Sequence, residues 1–146
     1  MIDAVWKDDP DFEEMEEMFL RGECAVFALA LADETSLPIA AAFFLGHYDG
    51  KKSKKGELIH AVCVNGEDTI DFMGRSGRSL KDLALDYFEE AMGAGMLDER
   101  DRSPDLIFIE MPYPKELLKK RFVGTSADDI FEMAVRWIRQ YPGFYR

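Results

Sequence analysis

The chain has 146 residues, 47% of them hydrophobic, and a net charge of −11, which predicts one domain over residues 1–146 with one packed core. The acidic balance argues against nucleic-acid binding and against docking on anionic lipid, since both need clustered Lys and Arg. No apolar run approaches the ~20 residues of a membrane span, and the N-terminus lacks a signal-peptide pattern, so we expect no membrane partner and a cytoplasmic location. The two cysteines and two histidines do not have zinc-ligand spacing, so neither a metal nor another cofactor is expected.

The first predicted element is an amphipathic helix over Asp11–Leu20. Asp9 and Pro10 suit its N-cap and first helical position, and Gly22 suits its end. Its apolar residues recur on one face, and its glutamates lie mostly on the other. This acidic face is either a solvated surface or a binding surface for a basic partner.

A second helix is predicted from Glu23 or Cys24 to about Ala32. It is apolar nearly all round, which is typical of a central, buried helix. The thiol of Cys24 then lies in the first turn, where backbone N–H groups are unpaired and the helix dipole favours a thiolate. The alternative is an ordinary core cysteine, since free cysteine is among the most buried residue types.

Three strands are predicted next, over Ile39–Tyr48, Glu57–Val64 and Thr69–Met73. The basic run Lys51–Lys55 separates the first two and is interpreted as a solvated hairpin tip or loop. Gly74–Arg78 follows the third strand and is predicted to be a flexible loop at the rim of the site, with only a weak resemblance to an anion-binding turn.

Asn65 and Gly66 are a strong signal for a two-residue type I′ hairpin between the second and third strands. In that register Val64 lies opposite Glu67, and His60 lies directly across from Asp71. Paired side chains of this kind are about 5 Å apart at Cβ, close enough for an imidazole–carboxylate hydrogen bond.

The rest of the chain predicts three helices and one short strand. In chain order these are a helix capped by Ser79 with Asp82 at its N3 position, the strand Asp105–Glu110, a short helix Lys115–Phe122, and a last helix from Thr125 or Ser126 to about Tyr141. The predicted fold is therefore α+β. A small antiparallel sheet packs against a central buried helix that starts at the cysteine, with additional C-terminal helices.

Cys24, His60 and Asp71 together have the residue types of a thiol-based catalytic site. A thiolate is a nucleophile, an imidazolium stabilises it and later protonates the leaving group, and a carboxylate fixes the tautomer and orientation of the imidazole. The backbone N–H of Cys24 is a candidate oxyanion donor. The sequence also leaves open that His47 replaces His60 as the base. Cys63, an odd number of residues from His60, is expected to point to the other face, into the core.

The chain resembles the papain-like (NlpC/P60-related) cysteine peptidase superfamily over Arg21–Gly74. The resemblance is carried by three short motifs: Gly22-x-Cys24-x-x-Phe27-Ala28-x-Ala30-Leu31, Ile59-His60-Ala61-Val62 and Ile70-Asp71-x-x-Gly74. It implies a nucleophile at the start of a helix packed on an antiparallel sheet, and a base on one strand of that sheet. It also implies Cys24 as nucleophile, His60 as general base and Asp71 as the orienting residue, in a thiol-dependent hydrolase or acyltransferase acting on an amide or peptide-type bond.

The chain departs from the superfamily in its oxyanion donors. Papain-like enzymes often carry Gln or Asn shortly before the cysteine, whereas the single Gln and single Asn of this chain are Gln140 and Asn65. A backbone amide, Arg21 or Tyr48 would have to serve, and Glu23 lies beside the thiol at the rim.

Two other functions remain open from the sequence. The first is a non-catalytic, acidic binding or inhibitor module on a papain-like fold, whose partner is a basic protein surface rather than a protein or peptide substrate. The second is a structural α+β domain in which Cys24 only fills the core. The sequence does not indicate the oligomeric state.

Overall fold

The computed structural model describes residues 8–21, 23–48, 51–52, 57–95, 106–120 and 127–145, with residues 21, 47, 48, 51, 52, 57, 91 and 127 described by their backbone alone. Within these ranges there are five α-helices: α1 (Phe12–Arg21), α2 (Cys24–Thr35), α3 (Leu80–Gly93), α4 (Lys115–Lys119) and α5 (Ala127–Gln140). The strands are β1 (Ile39–Phe44), β2 (His47–Tyr48), β3 (Lys51–Lys52), β4 (Glu57–Asn65), β5 (Asp68–Asp71), β6 (Gly74–Arg75) and β7 (Ile107–Glu110). The predicted α+β class is confirmed.

Five of these strands form one antiparallel sheet in the order β6-β5-β4-β1-β7. The predicted strand over Ile39–Tyr48 is wrong in its length. β1 ends at Phe44, and His47–Tyr48 instead pairs with Lys51–Lys52 in a separate two-stranded ribbon. The basic run therefore begins in a short strand, and Ser53–Lys55 lies outside the described residues.

Helix α2 is the buried helix of the fold, with every residue from Ala25 to Ala32 buried. It extends three residues beyond its predicted end at Ala32, because Thr35 continues the helix and its Oγ1 donates to the carbonyl of Leu31 at 2.6 Å. Ser36 then adopts a left-handed conformation with φ 62°, and its N–H donates to Ala32. This is an αL ending of the kind that satisfies the last helical carbonyls.

The junction of α1 and α2 places Cys24 at the first helical position of α2. The N–H of Glu23 donates to the carbonyl of Met18 at 2.8 Å, which is the long hydrogen bond of a Schellman ending. Gly22, the predicted stop, lies outside the described residues. The carbonyl of Glu23 accepts from Phe27 as the first bond of α2, so one residue ends α1 and opens α2.

The two faces of the sheet are buried by different helices. Alternate residues of β4 face opposite ways, so Cys63 joins the core that contains α2, while Val62 packs with Leu80 and Ala84 of α3. Ser79 caps α3 as predicted, its Oγ accepting from the N–H of Asp82 at 3.2 Å. Any side chain of β4 on the Val62 face therefore points toward α3.

The C-terminal turn Pro142–Phe144 ties the end of the described chain to the core. The hydroxyl of the buried Tyr145 donates to the carbonyl of Phe72 at 2.7 Å and accepts from the indole N–H of Trp137 at 3.0 Å. Its ring also contacts Phe27 of α2 edge-on, with centroids 5.3 Å apart. Tyr145 thus joins α2, α5 and the residue that follows β5.

Two predicted boundaries in the C-terminal half of the chain differ from the observed ones, and the end of α5 agrees with its predicted position to within one residue. β7 begins at Ile107 rather than at residue 105, α4 ends at Lys119 rather than Phe122, and α5 ends at Gln140. The predicted caps Thr125 and Ser126 lie outside the described residues. None of the helices in the described ranges combines the length and the apolar character that crossing a bilayer requires.

Candidate functional site

The β4–β5 hairpin has a different register from the predicted one. Asn65 pairs with Asp68, so the two-residue loop is Gly66-Glu67 and not Asn65-Gly66. Gly66 has φ 67°, as the first central position of a type II′ turn requires. The prediction was therefore wrong by two residues: Val64 pairs with Thr69 and not with Glu67. Because side chains alternate with period two, such a shift keeps the same residues on the same face.

A β-bulge lies next to His60 in β4. Along β1, Ala42 pairs with His60 and the next residue, Phe43, pairs with Leu58, so Ile59 is the extra residue of β4. Bulges locally increase the twist and re-aim side chains. His60 lies opposite Ala42, which belongs to the face covered by α3, and it is completely buried there.

His60 and Asp71 are joined by a hydrogen bond, in spite of the altered register. Nε2 of His60 lies 3.0 Å from Oδ2 of Asp71, diagonally across the two strands. Oδ1 of the same carboxylate accepts from the N–H of Met73 at 2.8 Å. Both oxygens of Asp71 are thus held, one by the backbone of its own turn and one by the imidazole, which fixes the carboxylate relative to the ring.

The thiol of Cys24 is the second group that acts on His60. Burial is the largest influence on the imidazole and lowers its pKa. The hydrogen bond to Asp71, the nearby thiol of Cys24 and the electrostatic influence of both groups together outweigh burial and raise the pKa of His60 to about 9. His60 is therefore an imidazolium at neutral pH, with Nε2–H directed to Asp71.

The second ring nitrogen of His60, Nδ1, takes no part in the hydrogen bond to Asp71. Nδ1 is buried and has no hydrogen-bond partner among the described residues. Cys24 is thus near enough to influence the ring without making a well-aligned hydrogen bond to it. A buried ring nitrogen without a partner is unusual, because it loses its hydration and gains nothing in exchange.

Tyr87 of α3 is a neighbour of His60 that the sequence did not single out for the site. The centroids of the two rings are 4.9 Å apart, and their planes are inclined at 38°. The helical spacing of Tyr87 from Leu80 and Ala84 puts all three on the face of α3 that packs on the sheet. Nothing in the sequence indicated that α3 covers the strand face that bears His60.

The other predicted candidates contribute less to this geometry. Glu23 is partly exposed at the N-cap of α2, its side chain makes no cap hydrogen bond, and its N–H is already used by Met18. The side chains of Arg21, Tyr48 and His47 lie outside the described residues. The carboxylate of Asp71 is bonded to His60, which favours His60 over His47 as the base.

The predicted flexible loop at Gly74–Arg78 is instead a hydrogen-bonded strand and turn. Gly74 and Arg75 form β6 against β5, and the N–H of Ser76 donates to the carbonyl of Thr69. The N–H of Gly77, which an anion-binding turn would offer to a ligand, donates to Oδ1 of Asp68 at 2.7 Å. The segment therefore supports β5 along its whole length, from Asp68 to the site residue Asp71.

Cys63 lies in the core, on the opposite face from His60, as predicted. Its thiol donates to the carbonyl of Ala28 at 3.4 Å, and burial raises its pKa to about 12, against a smaller opposing influence of the charge of Lys115. Cys63 is therefore an inert thiol. Among the described residues, no three His, Cys, Asp or Glu side chains are grouped so that they could hold a metal ion.

Comparisons of this chain with protein-family models, with curated proteins and with solved structures found no match.

Proposed function

We propose that the protein is a papain-like, thiol-dependent hydrolase or acyltransferase that acts on an amide or peptide-type bond. The observation that supports this most is the asymmetric use of the His60 ring. Nε2 is bonded to a carboxylate that is itself fixed, Nδ1 is buried without a partner, and the thiol of Cys24 acts on the same ring. An orienting acid, an imidazole and a thiol thus follow one another in the order that nucleophilic catalysis needs.

The proposed reaction has two halves, acylation and deacylation of Cys24, and His60 and Asp71 act in both. The thiolate of Cys24 attacks the carbonyl carbon, the C–N bond breaks, and the His60 imidazolium gives its proton to the departing amine. The product is a thioester on Cys24. Water or an acceptor amine, losing a proton to the now neutral imidazole, then attacks the thioester. The C–S bond breaks and releases the Cys24 thiolate, which restores the thiolate–imidazolium pair. Asp71 stabilises the imidazolium and keeps the ring in one orientation throughout.

The proposed oxyanion donor is the backbone N–H of Cys24. It is the first residue of α2, and the N–H groups of a first helical turn have no acceptor within the helix. The N–H of Glu23 is not available for this role, because Met18 accepts it, and an ionised carboxylate can only accept hydrogen bonds. Glu23 is therefore assigned to the rim beside the thiol.

The exposure of the three groups indicates where a substrate would enter. Cys24 is partly exposed, whereas the side chain of Asp71 is 12% exposed and that of His60 is fully buried. A protein or peptide chain would thus meet the thiol first, with the imidazole behind it. The charge of −11 favours a substrate that carries basic residues.

The test is selective alkylation of the folded protein with iodoacetamide at pH 6.5, followed by peptide mass spectrometry. A thiolate paired with an imidazolium should make Cys24 react roughly ten times faster than Cys24 in the urea-unfolded chain. Cys63 is the internal control and should stay unmodified. The proposal would be contradicted if Cys24 were alkylated at equal rates in the folded and unfolded chains, or if His60→Ala left the alkylation rate of Cys24 unchanged.

A second test looks for the acyl-enzyme itself. Mixing with p-nitrophenyl acetate should release a burst of one equivalent of p-nitrophenolate per chain, with an acetyl group left on Cys24. Cys24→Ser should lose the burst while keeping the fold. A burst that persists in this variant would assign the acyl transfer to another residue.

A non-catalytic binding module for a basic protein surface is the second candidate. It is favoured by the net charge and by the exposed acids Glu13 and Glu14 on the outer face of α1. The two candidates differ in Cys24. A folded Cys24→Ser variant that keeps the biological effect supports the binding module, and one that loses the effect supports the thiol-dependent enzyme.

A further inference from the structure

We infer that Tyr87 is a positioning residue for His60: its ring holds the imidazole in the orientation in which Nε2 meets Asp71 and Nδ1 is left for the thiol of Cys24. The consequence for catalysis rests on the proposed function, but the effect on the ring of His60 does not.

The position of His60 explains why its ring needs a support. Regular alternation along β4 places His60, like Val62, on the α3 face of the sheet, and β5 ends at Asp71, short of the strand position across from His60. The carboxylate therefore reaches the ring diagonally and holds it through Nε2 alone. A single hydrogen bond leaves the imidazole free to tilt about its own axis, so a second contact is required to fix the plane.

Tyr87 provides this contact from the helix that covers the same face. It is three residues after Ala84 and seven after Leu80, so all three lie on the stripe of α3 that faces the sheet, and Leu80 and Ala84 are packed there with Val62. At a centroid distance of 4.9 Å, the tyrosine ring blocks rotation of the imidazole toward α3. The packing of its neighbours fixes the height of Tyr87 above the strand.

Electrostatics acts in the same direction. A cation within about 6 Å of an aromatic ring is attracted to the electron-rich face of that ring, and the attraction grows as the pair is desolvated. Among the described residues, those that act on or contact the His60 ring are Asp71 from β5, Cys24 from α2 and Tyr87 from α3, and its strand partner on β1 is the uncharged Ala42. Tyr87 thus favours the imidazolium without adding charge to the site.

The experiment is an NMR titration of the imidazole of His60 in ¹⁵N-labelled protein, with His47→Gln in the background so that only one histidine is observed. We expect Tyr87→Leu to lower the pKa of His60 by roughly one pH unit, since this removes the ring and its cation–π attraction. Tyr87→Phe keeps the ring and should restore the wild-type titration. Phe88→Leu is the matched control, because it shortens the next residue of α3, which packs on Phe44 and not on His60.

Two results would overturn the inference: an unchanged titration in Tyr87→Leu, or an equal shift in Phe88→Leu, which would show a general loosening of α3. If Tyr87→Leu does not fold, the inference is tested instead by NMR of the wild-type protein. A ring-current upfield shift of the His60 Cε1–H signal and its cross-peaks to the Tyr87 ring support the inference, and their absence contradicts it. Failure of the alkylation test would remove the proposed function and leave this titration result intact.

Discussion

Oδ2 of Asp71 lies 3.0 Å from Nε2 of His60, although the two residues are not partners in the β4–β5 ladder. The diagonal contact depends on a turn that fixes the carboxylate and on the strand alternation that puts His60 and Asp71 on one face of the sheet. It leaves the carboxylate as the main source of the raised pKa of His60, against the opposing effect of burial. The behaviour of the site with pH should therefore depend on this pair.

Replacing Asp71 with Asn should lower the pKa of His60 by roughly 1–3 pH units, because the charge is lost while the burial of the ring remains. Alkylation of Cys24 at pH 6.5 should slow in parallel if the imidazolium activates the thiol. Asp68→Asn is the control. It is the same substitution in the same hairpin, but Asp68 binds Gly77 and not His60. NMR titration and alkylation rates are the measurements, and equal effects of the two variants would contradict the assignment.

The stability of the protein should fall between about pH 6.5 and 9. The pKa of His60 is raised in the folded state to about 9, so its stabilising effect is complete below the unfolded value of 6.5 and is lost as the pH rises through 9. The expected loss is roughly 3 kcal/mol, from about 1.4 kcal/mol per unit of pKa difference. Urea unfolding at pH 6 and pH 9 measures it.

Cys63 does not interfere in this range. Its pKa is raised from 9 to about 12, so the unfolded state gains by ionising this thiol only above pH 9. Asp71→Asn should flatten the dependence between pH 6.5 and 9. A wild-type stability that is constant over this range would contradict the prediction.

Tyr145→Phe should destabilise the fold by about 2–4 kcal/mol. The substitution removes two buried hydrogen bonds, one to the carbonyl of Phe72 and one from the indole N–H of Trp137, and loss of a buried partner costs about 1–3 kcal/mol each. Tyr141→Phe is the comparison, because the hydroxyl of Tyr141 contacts Asp9 in a partly exposed position and its loss should cost less. Urea unfolding at pH 7 compares the two, and an equal or larger effect of Tyr141→Phe would argue against the role of Tyr145.

Gly74→Ala should cost more than Gly77→Ala. Both glycines have positive φ, 87° and 68°, so alanine at either position is strained by about 1–2 kcal/mol. A Cβ at Gly74 would also lie 3.1 Å from the carbonyl oxygen of Phe144, whereas one at Gly77 would meet open space. The difference in stability between the two variants, measured by thermal or urea unfolding, isolates this contact. Equal losses of stability would show that the turn Pro142–Phe144 moves aside at no energetic cost and would contradict the prediction.

Much of the fold was predictable because its signals are local. The apolar sequence of α2, the Ser79 cap of α3 and the strand run of β4 each depend on neighbours within one element. The hairpin was predicted in kind but not in register, since Asn65-Gly66 and Gly66-Glu67 both suit a tight turn and the strand pairing decides between them. The split of the predicted strand over Ile39–Tyr48 had no comparable signal.

The sequence by itself determined that Cys24 opens a buried helix and that His60 and Asp71 share one face of a sheet, because helical position and strand parity are properties of short segments. Only the tertiary structure decided that α3 covers the sheet face that bears His60, that Tyr87 contacts its ring, and that the hydroxyl of Tyr145 binds the carbonyl of Phe72. These relationships join elements distant in the chain. They depend on how the helices and the sheet pack together, which no local pattern encodes.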